Sequence, residues 1–212
     1  MRQDGRAVML VHGLSGSSRW WREVELRAWD VRAVDLPRRL PPARAPAWLG
    51  ERLDEPAVVV GHSLGGLVAA QLAAERPELV TALVLVAPVG APRPLTGYAA
   101  GLVRTLREAR WPLVGAVAAD AVRTGLPALA RGAWFATRSV FAGAIGVPTL
   151  LVWGERDRLV PPELAPVWQA AIPHARLALV EGAGHVPMLE APSRFGQILQ
   201  EFLDGLGDHL RP

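Results

Sequence analysis

The sequence predicts an α/β protein built on a mostly parallel sheet. Three observations point there. Short apolar runs of strand length recur along the chain at Ala7–Val11, Val31–Asp35, Ala57–Val60, Ala82–Val86, Pro148–Trp153 and Leu177–Val180, and helical apolar spacing fills several of the intervals, the alternation that parallel strands with crossover helices produce. Ala57–Val60 and Ala82–Val86 carry no polar alternation, as expected of strands buried on both faces. Within Ala57–Glu75, AVVVGHSLGGLVAAQLAAE, the pattern switches from strand to helix with only a few residues between. A chain of 212 residues, half of them apolar, suits one well-buried core and is short for two ordinary domains.

Composition narrows the function classes. The net charge is only +3, yet the isoelectric point lies near 10.7 because every one of the 23 basic residues is arginine, which keeps its proton across the usual range. The arginines are spread along the chain and accompany no nucleic-acid-binding motif, so a nucleic-acid partner is not expected. No cysteine is present, which rules out disulfides, thiol nucleophiles and Cys-ligated metals. No apolar stretch reaches the roughly 18 residues that suggest a membrane span, and the first apolar run is too short for a signal peptide. A cytoplasmic, globular protein is the expectation.

Taken in order, the first strand, Ala7–Val11, leads into His12-Gly13-Leu14-Ser15-Gly16-Ser17-Ser18, a loop whose glycines let backbone approach a ligand, with a helix start near Trp20. Val31–Asp35 is the second strand. The Pro- and Arg-rich stretch from Arg39 to Pro46 reads as a surface loop, and Trp48–Leu53 as a short helix. After the strand at Ala57 a helix begins at Leu64 and is stopped by Pro77. Ala82–Val86 precedes a change of character: from Val89 to Gly146 the chain is Ala-, Arg- and Gly-rich, with helical spacing at Ala99–Ala109, Leu113–Val122 and Leu126–Ser139. Strands return at Pro148–Trp153 and Leu177–Val180. Pro192–Leu206 closes the chain as an amphipathic helix with Phe195, Ile198, Leu199, Phe202 and Leu203 on its inner face.

The chemistry concentrates at Gly61-His62-Ser63-Leu64-Gly65, which fits G-x-S-x-G at a strand-to-helix turn. Such a turn lifts a serine hydroxyl above the sheet, and the glycines remove side chains that would collide with neighbouring backbone. Here the chain resembles the α/β-hydrolase family, over nearly all of Ala7–Leu206. The resemblance implies a doubly wound sheet of about six strands lacking the family's N-terminal hairpin, a core formed by residues 1–88 and 147–212, and a helical cap over 89–146. It implies Ser63 as nucleophile, His185 in Glu181-Gly182-Ala183-Gly184-His185-Val186-Pro187 as base, and Asp157 in the turn after Gly154 as acid, with Glu155 as competitor. Leu14 and Leu64 would give the backbone N–H groups of an oxyanion hole, and His12 would hold its loop by hydrogen bonds. Tyr98, Trp111, Trp134, Phe135 and Phe141, weighed against places in the cap's own core, and His62 in the elbow are the candidates to line the substrate pocket.

The order Ser, acid, His is that of the fold. A serine at the elbow implies attack on acyl carbons, so the expected activity is a carboxylesterase for small to medium acyl esters, needing neither metal nor organic cofactor. Acyl transfer to an alcohol or amine, lactonase, thioesterase and C–C hydrolase activities share the same residues; a non-catalytic binding protein is the remaining alternative. Without the hairpin, the strand at Val31–Asp35 should present a bare edge, either blunted by Arg32, Asp35 and Pro37 or used to form a homodimer.

Overall fold

The computed structural model describes residues 6–108 and 111–206. Six strands, β1 (Ala7–Val11), β2 (Asp30–Val34), β3 (Ala57–His62), β4 (Val80–Val86), β5 (Thr149–Gly154) and β6 (Arg176–Val180), form one sheet in the order β2-β1-β3-β4-β5-β6, and every pairing is parallel. The chain winds outward from β1 to one edge, then crosses back and proceeds to the other. That reversal beside β1 and β3 opens a crevice at the carboxyl ends of the strands.

Alternate residues of each strand enter two separate cores. Val59, Leu83, Leu85, Leu151 and Trp153 face one side with Leu67, Leu72 and Trp168; Val58, Val60, Val84, Val86, Leu150 and Val152 face the other with Phe195, Leu199, Phe202 and Leu203. Because β3, β4 and β5 are covered on both faces, their sequences are apolar without alternation. The first layer is built by α1 (Ala45–Gly50), α2 (Leu64–Glu75) and, after the inserted segment, α6 (Ala165–Ala171). The second is built by a 3-10 turn at Ser18–Trp21, a short α7 (Pro187–Glu190) and α8 (Pro192–Leu206). Each large side chain fully withdrawn from water here contributes about 1.5–3 kcal/mol.

Between β4 and β5 lie three helices, α3 (Leu95–Glu108), α4 (Trp111–Thr124) and α5 (Leu126–Arg138). Two local expectations need correction. The segment near Trp20 makes a single 3-10 turn rather than a helix, and the helix expected at Trp48–Leu53 begins three residues earlier, at Ala45. Pro46 explains the second: in the first turn of a helix its missing N–H costs nothing and its fixed φ is already helical. α6 and α7 were not anticipated from the sequence.

Strand β2 lies at one edge of the sheet, with no strand beyond it among the described residues. It is five residues long and bears Asp30 and Arg32, the latter 3.5 Å from Asp54. Shortness and charge both oppose edge-to-edge pairing. Among the described residues no helix is long and apolar enough to cross a membrane.

Helix α2 is buried around most of its circumference, nine of its twelve residues being inaccessible, and its first turn is wedged against the sheet. A Cβ added at Gly65 would run into the carbonyl of His12, and lie 2.7 Å from that of Val11; one at Gly61 would collide with the Gly65 carbonyl. Overpacking against backbone has no side chain to yield. Gly65→Ala is therefore expected to lower unfolding stability by about 1–3 kcal/mol, read as a shift in the urea midpoint; an unshifted midpoint would show that β1 and α2 can separate without cost.

Candidate active site

The strand-to-helix turn puts Ser63 at φ 52°, ψ −115°, a conformation that costs an L residue about 1–3 kcal/mol. The surroundings hold it there. Ser63 N–H donates to Val86 O at 2.8 Å, and its carbonyl accepts from Gly66, Leu67 and Val89. The side chain is thereby aimed at His185, whose Nε2 lies 3.2 Å from Ser63 Oγ.

On the other side of the ring, His185 Nδ1–H donates to Asp157 Oδ2 at 2.7 Å, which leaves the Nε2 lone pair facing the serine. Asp157 is 1% exposed. Its second oxygen accepts the Leu159 and Val160 N–H groups at 2.8 and 2.9 Å, so all the carboxylate's buried acceptor capacity has partners. Glu155 occupies a different place: its carboxylate accepts the Gly182 N–H at 3.0 Å on the exposed side of the loop. The His185 loop is clamped again by Glu190, whose oxygens accept from Gly184 and Val186 at 2.8 and 3.0 Å. Nothing in the sequence singled out Glu190, although its place in the turn following a Gly-rich loop is where a carboxylate can collect free N–H groups.

Two further histidines are fixed in neutral form. His12 Nδ1–H donates to Gly13 O at 2.7 Å, and its Nε2 accepts the Leu36 N–H at 3.0 Å, tying the loop after β1 to the segment leaving β2. Burial lowers its pKa, against the opposing pull of the Gly13 carbonyl and of Asp35 and Asp120. His62 is 1% exposed and donates Nε2–H to the His185 carbonyl at 2.8 Å. Its pKa is held well below the ordinary range, first by burial and then by the neighbouring His185.

The loop between β1 and the 3-10 turn packs directly beside Ser63: a Cβ on Gly13 would be 3.0 Å from Ser63 Cβ. Among the described residues the N–H groups of Leu14 and Leu64 donate to no other protein group. Both residues line a cavity of about 420 Å³ that continues between the segment 35–45 and helices α4 and α5, reaching Leu40, Asp120, Thr124 and Gly132.

The bulky side chains weighed as candidates to line the pocket lie outside the lining of this cavity among the described residues. His62 is buried beneath the site; Tyr98 packs against the first core with the Arg93 guanidinium 5.3 Å from its ring; Phe141 stacks on Trp168 at 5.1 Å. Trp134 is 62% exposed and lines, with Phe135, a separate shallow cleft against Pro41 and Pro42. The Trp111 side chain lies outside the described residues. Tyr98, Phe135 and Phe141 pack against the first core, while α4 and α5 face the cavity with Asp120, Arg123, Thr124, Ala128 and Gly132, opposite apolar residues such as Leu36, Leu40 and Val68. The signal for Asp120 was a lone acid in the otherwise apolar run Leu113–Val122. The segment read as a surface loop, Arg39–Pro46, in fact covers this cavity through Leu40, Pro42 and Ala45.

Among the described residues no cluster of three His, Asp or Glu side chains is placed to hold a metal ion. The neutral histidines carry a pH consequence. The unfolded chain takes up protons near pH 6.5, whereas folded His12 and His62 resist them, so stability present above that value is lost as the pH falls below it. Urea denaturation between pH 7.5 and 5 should show stability declining by up to about 1.4 kcal/mol per pH unit for each histidine; a flat profile there would contradict their neutral burial.

Residues 8–198 match the Alpha/beta hydrolase family. A pimeloyl-[acyl-carrier protein] methyl ester esterase of Neisseria meningitidis serogroup B is 29% identical, over 94% of this chain and 93% of that protein. The solved structure of a thermophilic esterase superposes with a TM-score of 0.74 at 25% identity, covering 96% of this chain and 92% of the other. A carboxylesterase of Nitrososphaera gargenis shares the fold at 16% identity, with a TM-score of 0.79 over 97% and 92% of the two chains. The match spans the sheet, the elbow and the loops that bear Asp157 and His185, and the chain belongs to the alpha/beta hydrolase family.

Proposed function

We propose that this chain is a serine hydrolase that cleaves carboxylic esters of small to medium acyl chain through an acyl-enzyme. The observation that carries it is the continuous hydrogen-bonded line from Ser63 through His185 to Asp157, at 3.2 and 2.7 Å. A serine hydroxyl at its free pKa is a poor nucleophile, and a neighbouring imidazole removes that obstacle. As Ser63 Oγ attacks the ester carbonyl carbon, its proton passes to His185 Nε2, and Asp157 stabilises the imidazolium and fixes its tautomer. The carbonyl oxygen becomes an alkoxide held by the N–H groups of Leu14 and Leu64. The loss of one such donor typically costs about 3–4 kcal/mol of transition-state stabilisation. His185 then protonates the leaving alcohol, and water, deprotonated by the same histidine, releases the acid and regenerates Ser63.

The cavity beside Leu14 and Leu64, at about 420 Å³, falls toward the small end of ligand pockets. That volume suits a small or medium ester group. The inserted helices α4 and α5 form its outer wall, so residues 89–146 act as a cap that sets substrate size. Two relatives' names agree with an ester substrate: an acyl-carrier methyl ester esterase and a thermophilic esterase.

Hydrolysis of a p-nitrophenyl ester series, from acetate to laurate, should peak at short or medium chain length. Ser63→Ala should fall to background, at least about 10³-fold below the parent. A folded parent that cleaves none of the series would overturn the assignment. Asp157→Asn should keep the fold but lower kcat about 10⁴-fold, measured against the preferred ester.

A further inference from the structure

Only two carboxylates are buried among the described residues, Asp157 and Asp120. Asp157 belongs to the mechanism above; Asp120 does not. A carboxylate withdrawn from water is costly unless its oxygens are fully engaged, and those of Asp120 are engaged across the boundary between insertion and core. It stands on α4, yet its Oδ2 accepts the Ser17 hydroxyl at 2.8 Å and the Trp20 indole N–H at 2.9 Å, both from the segment after β1. Oδ1 accepts Arg123 at 2.9 Å, one turn along the same helix. Burial alone would raise the Asp120 pKa, but these three donors outweigh it and hold the group below its ordinary value.

The structure assigns to Asp120 the role of a positioning residue for ester cleavage: one carboxylate of the inserted helix sets the loop that carries the Leu14 N–H and, through Trp20, steadies the backbone of His185. The assignment rests on the serine-hydrolase reading of the site. The loop is short and needs outside support. Ser15 has a φ of 61°, strained for a residue other than glycine, and Gly16 N–H closes back on Gly13 O at 3.0 Å, so a displacement at Ser17 is transmitted within three residues to Leu14. The second branch runs through a tilted ring contact. Trp20 lies 5.8 Å from His62 between ring centroids, and the His62 N–H holds the His185 carbonyl at 2.8 Å. Asp120 thus lines the cavity wall with its oxygens turned to Ser17, Trp20 and Arg123 rather than to Ser63 or His185, and grips the support of both the oxyanion donor and the base. The seating of α4 on the core and the alignment of the catalytic groups are thereby coupled.

The test separates alignment from folding. A trifluoromethyl ketone bearing the preferred acyl chain accepts Ser63 Oγ at its carbonyl carbon while the serine proton passes to His185 Nε2, and its carbonyl oxygen becomes an alkoxide in the oxyanion hole; the matching methyl ketone binds without that charge. Asp120→Ala should lower kcat about tenfold to a hundredfold, the range that a displacement of about an ångström produces, with KM changed less than about threefold. It should weaken the trifluoromethyl ketone by a similar factor and leave the methyl ketone unaffected. Asp120→Asn, which keeps an acceptor oxygen for Ser17 and Trp20, should recover most of the loss. If Asp120→Ala does not fold, Ser17→Ala, which removes one donor without stranding a charge, should still lower the ratio of the two ketone affinities. An active parent matched by these variants in kcat and in the ketone ratio would overturn the role of Asp120 alone; a parent without esterase activity would overturn the reading on which it rests.

Discussion

The structure depends on the contact between the start of α2 and the ends of β1 and β3. A parallel sheet delivers Ser63 to its carboxyl edge, but only a helix that begins without a connecting loop turns the residue upward, and that requires backbone to touch backbone at Gly61 and Gly65. Ser63 is consequently held at a positive φ. The strain is sustained by the buried strands on either side and by hydrogen bonds to every backbone group of the serine that can make one. Loosening this contact would not simply expose apolar surface; it would let the serine relax into an ordinary helical N-terminus.

Around that point the polar groups of the interior are arranged in two kinds. His12 and His62 are buried without charge, each with a tautomer chosen by a backbone carbonyl, and they brace loops. Asp157 and Asp120 are buried carboxylates whose acceptor sites are shared between near neighbours, Leu159, Val160 and Arg123, and donors from distant segments, His185, Ser17 and Trp20. The chemistry of the first kind is rigidity at neutral pH. The second kind is more exacting, since an unsatisfied buried charge costs more than an unsatisfied imidazole.

The fold was legible in the sequence most plainly where burial on both faces forced an unbroken apolar run: four of the six strands begin and end within one residue of the expected position, β3 runs two residues further and β4 starts two residues early. The inserted helices also emerged from their spacing, as did the amphipathic α8. The residues of the site were legible where a backbone requirement wrote itself into composition, with Gly61 and Gly65 framing Ser63, Gly154 before Asp157, and Gly184 before His185. The cavity wall was not. The aromatic candidates Tyr98, Phe135 and Phe141 pack against the first core, the alternative weighed for them in the sequence, and the wall that α4 and α5 contribute instead uses small and polar residues such as Thr124, Ala128 and Gly132. Contacts between segments a hundred residues apart, such as Ser17 with Asp120, leave no mark in a single sequence.

The inserted segment enters after β4 and leaves before β5, at one end of the sheet, and lends Val89, Ala91, Ala136 and Ile145 to the first core. In the cap role proposed above it is a cassette seated on a chassis by those contacts, and size selection can diversify at its cavity-facing residues while they are kept. The carboxylate of Asp120 limits that freedom. A replacement cassette must present an acceptor to Ser17 and Trp20 from the same direction, or the chassis must acquire its own support for the loop, so new specificities in this lineage would arise first by resurfacing α4 and α5 around a retained acid.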